Sequence, residues 1–294
     1  MTATIIDGNQ LAEQKRSEIK KRVDELRQRG IEPGLTVVLV GNDPASTSYV
    51  RGKEKACKAV GIRSEVLRLP KETSEEELLN HVRRCNEDPR VDGILVQLPL
   101  PDHINEQRVI NSINPDKDVD GFHPISVGNL VIGNPGFLPC TPYGIMEMFR
   151  AYDISLSGRH AVVIGRSNIV GKPISLLMQR EHATVTMCHS RTKHLKAFTK
   201  QADIVVAAVG RPRFVTADFV SPGSVVIDVG INRVESGKLV GDVDFEEVKE
   251  IASYITPVPK GVGPMTIAML LHNTVWSAER KAGIATGSGN GVLT

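Results

Sequence analysis

Leu35-Thr36-Val37-Val38-Leu39-Val40-Gly41-Asn42-Asp43-Pro44 is a short apolar run that stops on four turn-forming residues. An apolar run of this length without alternation reads as a strand covered on both faces, as in parallel sheets. Beyond the turn, Ser48-Tyr49-Val50-Arg51-Gly52-Lys53-Glu54-Lys55 lies in a helical stretch, Thr47–Val60, that ends near Gly61. On the N-terminal side, Leu11, Ile19, Val23 and Leu26 share one side of a helix from Gly8 to Arg29, closed by Gly30. On the other side a strand near Glu65–Leu69, a helix Ser74–Asn86 and a strand Gly93–Val96 continue the alternation. Strand and helix in turn build a parallel sheet with crossover helices, so the fold class is α/β.

The chain has 294 residues, enough for one large or two ordinary domains, and 40% are hydrophobic. Its 36 basic and 34 acidic residues leave a net charge of +2, which argues against nucleic acid or membrane recognised by bulk charge. Cys57, Cys85, Cys140 and Cys188 lie far apart with no C-x-x-C pair, so reduced thiols, a cytoplasmic location and no metal site are expected. The N-terminus carries no charged-then-apolar leader, and no apolar run approaches the roughly 18 residues of a membrane span.

Tyr49 and Lys53 stand four residues apart, which puts a phenol and an ammonium on one helix face. A lysine kept out of water can have its pKa lowered far enough to exchange a proton near neutrality. The competing reading is a solvated charged face, since Arg51, Glu54, Lys55 and Lys58 are close by in sequence. Gln97 follows the strand Gly93–Val96 and precedes Leu98-Pro99-Leu100-Pro101, at the strand end where open α/β sheets bind ligands. A plain polar cap on a strand end is the alternative. Asn114-Pro115-Asp116-Lys117-Asp118-Val119-Asp120-Gly121-Phe122 offers three carboxylates without the glycine and glutamate spacing of a calcium loop. One of them is expected to accept from a ligand amine while the others cap turns.

A domain boundary is expected over Val127–Pro139, where Gly and Pro cluster, and Thr141-Pro142 then starts a helix that turns Ile145, Met148 and Phe149 inward. Strand His160–Ile164 runs into Gly165-Arg166-Ser167-Asn168-Ile169-Val170-Gly171-Lys172-Pro173, a glycine turn into a helix that suits a dinucleotide pyrophosphate. Further strands Thr184–Cys188, Ile204–Val209 and Val225–Val229 make this half Rossmann-like, followed by a strand Lys238–Val240 and a helix from Asp244 to Ala252. Where an NAD enzyme usually carries an acid, at the end of the second strand, this chain has His189-Ser190-Arg191, so Arg166, Ser190 and Arg191 point to a 2′-phosphate and to NADP. An ordinary basic loop is the alternative. The Pro- and Gly-rich stretch Ile255–Thr266 reads as a stiff loop, and a final helix with Ile267, Leu270, Leu271 and Val275 returns to the first domain.

Tyr49-Val50-x-x-Lys53-x-Lys55, Val96-Gln97-Leu98-Pro99-Leu100-Pro101, Lys117-Asp118-Val119-Asp120-Gly121, Pro139-Cys140-Thr141-Pro142, Gly165-Arg166-Ser167-x-x-Val170-Gly171-x-Pro173 and Gly261-Val262-Gly263-Pro264-Met265-Thr266 occur in that order. With these motifs the chain closely resembles the bifunctional methylenetetrahydrofolate dehydrogenase/methenyltetrahydrofolate cyclohydrolase family, from about Asp7 to Ala278. The resemblance implies a folate-binding catalytic domain over 1–138 completed by a helix over 267–281 and a Rossmann-like NADP-binding domain over 139–266, while the Gly/Ser-rich composition over 282–294 predicts a disordered tail. It implies Lys53 as the acid/base, Tyr49 beside the pterin, Gln97 tuning Lys53, and Asp120 accepting from the pterin amine. Val96, Leu98, Gly263 and Pro264 would also touch the substrate, and Gly165, Arg166, Ser167, Ser190 and Ile231 would line the NADP site. The family forms homodimers on polyglutamylated folates. Lys260 departs from it, standing where the family loop has glycine, and carries strain if that position takes φ > 0. A Rossmann dehydrogenase for another substrate, or a nucleotide-binding regulatory module, would leave Lys53, Gln97 and Asp120 unexplained.

Overall fold

The computed structural model describes residues 2–284, so the tail expected to be disordered lies outside the described residues from 285 onward. Strand β1 (Thr4–Ile5) and helix α1 (Gly8–Gln28) lead into β2 (Gly34–Val40), α2 (Pro44–Val60), β3 (Arg63–Leu69), α3 (Glu75–Glu87) and β4 (Gly93–Val96). Helices α4 (Glu106–Ser112), α5 (Pro124–Ile132) and α6 (Cys140–Ala151) follow. The second alternation is β5 (His160–Ile164), α7 (Gly171–Arg180), β6 (Thr184–Cys188), α8 (Leu195–Thr199), β7 (Ile204–Ala207) and β8 (Val225–Asp228). Then come β9 (Asn232–Arg233), β10 (Leu239–Val240), α9 (Phe245–Val248), β11 (Tyr254–Ile255) and α10 (Val262–Lys281).

The chain divides into two compact units. Among the described residues, one holds Gln14–Cys140 and 267–284. Its sheet is parallel throughout in the order β3-β2-β4, with Val38 paired to both Leu67 and Val96. Every residue of β2 is buried, which is why its sequence runs apolar without alternation. Helix α2 starts where Asp43 accepts from Ser46 N at 2.8 Å, with Pro44 in the first turn, and ends at Gly61, whose φ of 87° suits a residue without Cβ. Ser74 caps α3, and Leu78, Val82 and Cys85 drop from it into a core with Val38, Val40, Ile94 and Val96.

Two helices in this unit differ from expectation. Where a Gly/Pro-rich boundary is expected from Val127, residues 124–132 form α5, because His123 caps the first turn, Pro124 presets its φ, and Gly133 at φ 80° ends it. Helix α4 carries no sequence signal beyond its cap, Asn105, which accepts from Arg108 N at 3.0 Å.

The other unit holds the residues up to Glu13 and Thr141–Thr266, around a six-stranded parallel sheet in the order β1-β11-β8-β7-β5-β6. Its core joins Val162, Ile164, Val205, Ala207, Val226 and Ile255. Residues 1–138 are expected together from sequence, yet Thr4 and Ile5 pair in parallel with Tyr254 and Ile255 and so belong to this sheet. A two-residue edge strand has no periodicity to read. Helix α10 likewise begins at Val262, not Ile267, so Gly263-Pro264-Met265-Thr266 is helix where stiff loop is expected. Pro264 is tolerated there because first-turn N–H groups have no intrahelical partner to lose. Among the described residues no helix is long and apolar enough to cross a membrane.

Lys260 has φ 85°, the left-handed region in which a Cβ is crowded. Lys260→Gly should therefore raise stability in urea by about 0.5–1 kcal/mol, the relief of strain outweighing the added freedom of the unfolded chain. A lower unfolding midpoint would show that the lysine side chain contributes more than its backbone costs.

Candidate functional site

Lys53 lies on the buried stripe of α2, in line with Val50, Cys57 and Val60, and is itself only 8% exposed. Arg51, Glu54, Lys55 and Lys58 are exposed, so the solvated-face reading holds for them and fails for Lys53. Its Nζ donates to Gln97 Oε1 at 3.0 Å, and Gln97 Nε2 donates to Leu98 O at 2.7 Å. The second bond fixes the amide so that its oxygen faces the amine. Burial pushes the Lys53 pKa down, and the neighbouring Asp120 carboxylate pulls it part of the way back. Burial also raises the Asp120 carboxyl, against the opposing pull of Lys53 and of the Cys140 thiol. Tyr49, one turn ahead of Lys53, is half-buried with its phenol pushed above the ordinary value, so it stays protonated and serves as a donor or a flat surface, not as a base.

The Lys117–Gly121 turn sorts its charges into distinct jobs. Lys117 Nζ donates to the carbonyls of Cys85, Asn86 and Asp88 at 3.0, 2.7 and 2.8 Å, closing the C-terminal end of α3. Asp118 is buried and accepts from Phe122 N at 3.2 Å, His123 N at 2.8 Å and Ser126 Oγ at 2.7 Å, which ties the turn to α5. Burial lifts its carboxyl to about 7 against those donors. Asp120 is the one left facing Lys53. Gly121, at φ 76°, has no room for a Cβ, which would lie 2.6 Å from Pro139 N.

Two further residues support this turn: Cys140, inside the Pro139–Pro142 motif, and Asn273, which no motif marks. Cys140 Sγ donates to Val119 O at 3.3 Å, and the buried Asn273 of α10 donates to Val119 O at 2.8 Å and Leu138 O at 3.1 Å. Asn273 stands between His272 and Thr274, so nothing in the local sequence singles it out. Val96 packs into the core through β4 and Leu98 packs on the same cluster.

The second candidate site belongs to the unit built on β5–β8. Gly165 follows β5 at φ 137°, and a Cβ there would sit 2.3 Å from Ala208 O; one on Gly171 would sit 2.3 Å from Gly165 O. These glycines let three backbone segments close up at the strand ends, where α/β sheets take nucleotides. Ser167 Oγ accepts from Val170 N at 3.1 Å and Gly171 N at 3.2 Å, so it braces the turn. Beside the turn opens a pocket of about 850 Å³ lined by Gly165, Arg166, His189, Ser190, Arg211 and Phe214 among others, without a carboxylate. Arg191 does not line it. Asp242, fully buried, accepts from Val209 N at 2.6 Å, Gly210 N at 3.0 Å, Arg211 N at 2.9 Å and Asn232 Nδ2 at 2.9 Å, holding the loop after β7. Its neighbour Asp228, lifted by burial to about 7, accepts from Gly230 N, Asp242 N and Val243 N at 2.9–3.0 Å. Ile231 follows, 41% exposed, with its Cδ1 3.6 Å from where a Cβ on Gly263 would be. Gly263 and Pro264 thus lie in this unit with Ile231, not in the one with Lys53.

The catalytic-domain model of the tetrahydrofolate dehydrogenase/cyclohydrolase family matches residues 6–120, and the NAD(P)-binding-domain model of the same family matches 139–282. The chain is 61% identical over 280 residues to the bifunctional protein FolD of Bacillus anthracis, covering 95% of this chain and 98% of that protein. Bifunctional FolD from Campylobacter jejuni has a solved structure with TM-score 0.93 at 52% identity, covering 95% of this chain and 99% of that one. The Trypanosoma brucei methylenetetrahydrofolate dehydrogenase-cyclohydrolase, solved with NADP cofactor and inhibitor, gives TM-score 0.93 at 39% identity over 96% of this chain and 99% of that one.

Because the Asp120 carboxylate raises the Lys53 pKa against the effect of burial, Asp120→Asn should move the Lys53 titration to lower pH. The ¹³Cε shift of Lys53, assigned against Lys53→Met, reads this directly. An unchanged or higher midpoint would remove Asp120 from the electrostatics of the amine.

Proposed function

Since the chain belongs to the tetrahydrofolate dehydrogenase/cyclohydrolase family, we propose that Lys53, Gln97 and Asp120 form its folate-reacting centre, and that Arg166 and Ser190 select its cofactor. The protein oxidises 5,10-methylenetetrahydrofolate to 5,10-methenyltetrahydrofolate with NADP+ and hydrolyses the product to 10-formyltetrahydrofolate. The observation that carries the residue assignment is a buried lysine amine 3.0 Å from the oxygen of a fixed amide and coupled to a carboxylate.

Hydrolysis needs a proton carrier. Water must lose a proton as it adds to the methenyl carbon, and a ring nitrogen must gain one as the ring opens. Lys53, with its pKa lowered by burial, takes the first proton as the neutral amine and returns it as the ammonium. Gln97 presents only its oxygen to that amine, so it orients Lys53 and steadies the protonated form. Asp120 accepts from the pterin's amine, and Tyr49 lies against the pterin ring. Val96 and Leu98 frame Gln97.

The nucleotide unit fits NADP. Its glycine turn admits backbone approach, and its pocket offers Arg166 and Ser190 with no acid to repel a 2′-phosphate. When bound, NADP+ supplies the acceptor for the hydride leaving the bridging methylene. Gly165 lines this pocket, Ser167 braces its turn, and Ile231 is proposed as a further cofactor contact outside the pocket's lining. The proposal extends to a homodimer acting on polyglutamylated folate in the cytoplasm, on the strength of the matched motifs.

Hydride loss leaves a resonance-stabilised cation and needs no base, so the two activities should separate when the amine is removed. Lys53→Met should lower hydrolysis by about 10²-fold or more while oxidation falls much less, and methenyltetrahydrofolate should accumulate in its characteristic absorbance. Wild-type hydrolysis of added methenyltetrahydrofolate by this variant would sink the role of Lys53.

A further inference from the structure

The nucleotide pocket contains a second guanidinium that the motifs do not account for. Arg166 leaves the end of β5, Ser190 leaves β6, and Arg211 leaves β7 just after Gly210. In the sheet β5 lies between β7 and β6, so the three side chains enter one pocket from three neighbouring strand ends. The lining also includes Lys196, but that ammonium is paired with Asp218 and lies 4.9 Å over the Phe219 ring. Neither Arg166 nor Arg211 has a carboxylate partner among the described residues.

Arg211 is exposed, yet both its backbone and its guanidinium are held. Its N–H donates to Asp242 Oδ1 at 2.9 Å, and the same buried carboxylate takes the N–H groups of Val209 and Gly210. Its guanidinium lies 4.7 Å over the ring of Phe214, which leans on Phe219 at 5.4 Å. Stacking of this kind orders an arginine while leaving its N–H edge free to donate. Two forked cations without an acid between them suit a doubly charged, three-oxygen phosphate.

We propose that Arg211 is a second specificity-determining residue for the ribose 2′-phosphate of NADP, acting with Arg166. This rests on the reading of the pocket as the NADP site. The residue would then set how strongly the enzyme prefers NADP+ over NAD+, and Asp242 and Phe214 would be the groups that position it.

The probes are adenosine 2′,5′-bisphosphate and 5′-AMP, which differ only in the 2′-phosphate, titrated calorimetrically into wild type, Arg211→Gln, Arg211→Lys and Arg166→Gln. Arg211→Gln should weaken the bisphosphate about tenfold or more and 5′-AMP less than about twofold, the loss expected for a charge-assisted contact. Arg211→Lys, which keeps the charge without the fork, should recover part of the difference. If Arg166→Gln loses selectivity and Arg211→Gln keeps it, the pocket holds the 2′-phosphate without Arg211 and the proposal is overturned. Equal weakening of both probes by Arg211→Gln overturns it too, since the arginine then serves the adenosine. A wild type that binds the two probes equally overturns the NADP reading of the pocket itself.

Discussion

A lysine amine placed on the apolar stripe of α2 sets the terms for the unit around it. Taking an ammonium out of water is costly, and the group answers by lowering its pKa unless partners hold the charge. Here the partners are few. Gln97 offers one oxygen, its amide nitrogen already committed to Leu98 O, and Asp120 offers a carboxylate that burial itself destabilises. Burial thus pushes the amine's pKa down while the Asp120 carboxylate opposes it, the balance on which the proposed proton carrier draws.

Keeping so few partners in place needs a rigid surround, and backbone groups supply it. Three carbonyls hold Lys117, three donors hold Asp118, and Asn273 with Cys140 holds the Val119 carbonyl between Asp118 and Asp120. The nucleotide unit uses the same device in Asp242 and Asp228, buried carboxylates whose donors are mostly backbone N–H groups of the loops after β7, β8 and β10. Asp118, Asp228 and Asp242 fasten loops because their acceptor sites are filled. Asp120 lacks such a set, so it keeps capacity for a ligand.

Much of this is legible in the sequence where a local rule has one physical solution. The uninterrupted run Leu35–Val40, the αL stop at Gly61 and the glycine turn at Gly165 each leave a pattern that geometry enforces. What escaped depends on partners distant in the chain. Thr4 and Ile5 become a strand only through Tyr254 and Ile255, and Asn273 acquires its role only from carbonyls more than a hundred residues away. Helix α5 and the first turn of α10 were hidden for another reason: proline and glycine mark loops and helix starts alike, and the neighbouring caps decide between them. Arg211 looks like a loop residue until Phe214 and the pocket are placed beside it.

In the proposed mechanism the neutral Lys53 amine is the base of hydrolysis and its neighbours set its pKa. The most direct test is the pH dependence of methenyltetrahydrofolate hydrolysis in wild type and Gln97→Glu. A carboxylate in place of the amide would favour the ammonium, raise the Lys53 pKa and leave less neutral amine at any given pH. The acid limb of the profile should therefore move to higher pH in Gln97→Glu. A limb that stays where it is, or moves to lower pH, would mean that another group carries the proton.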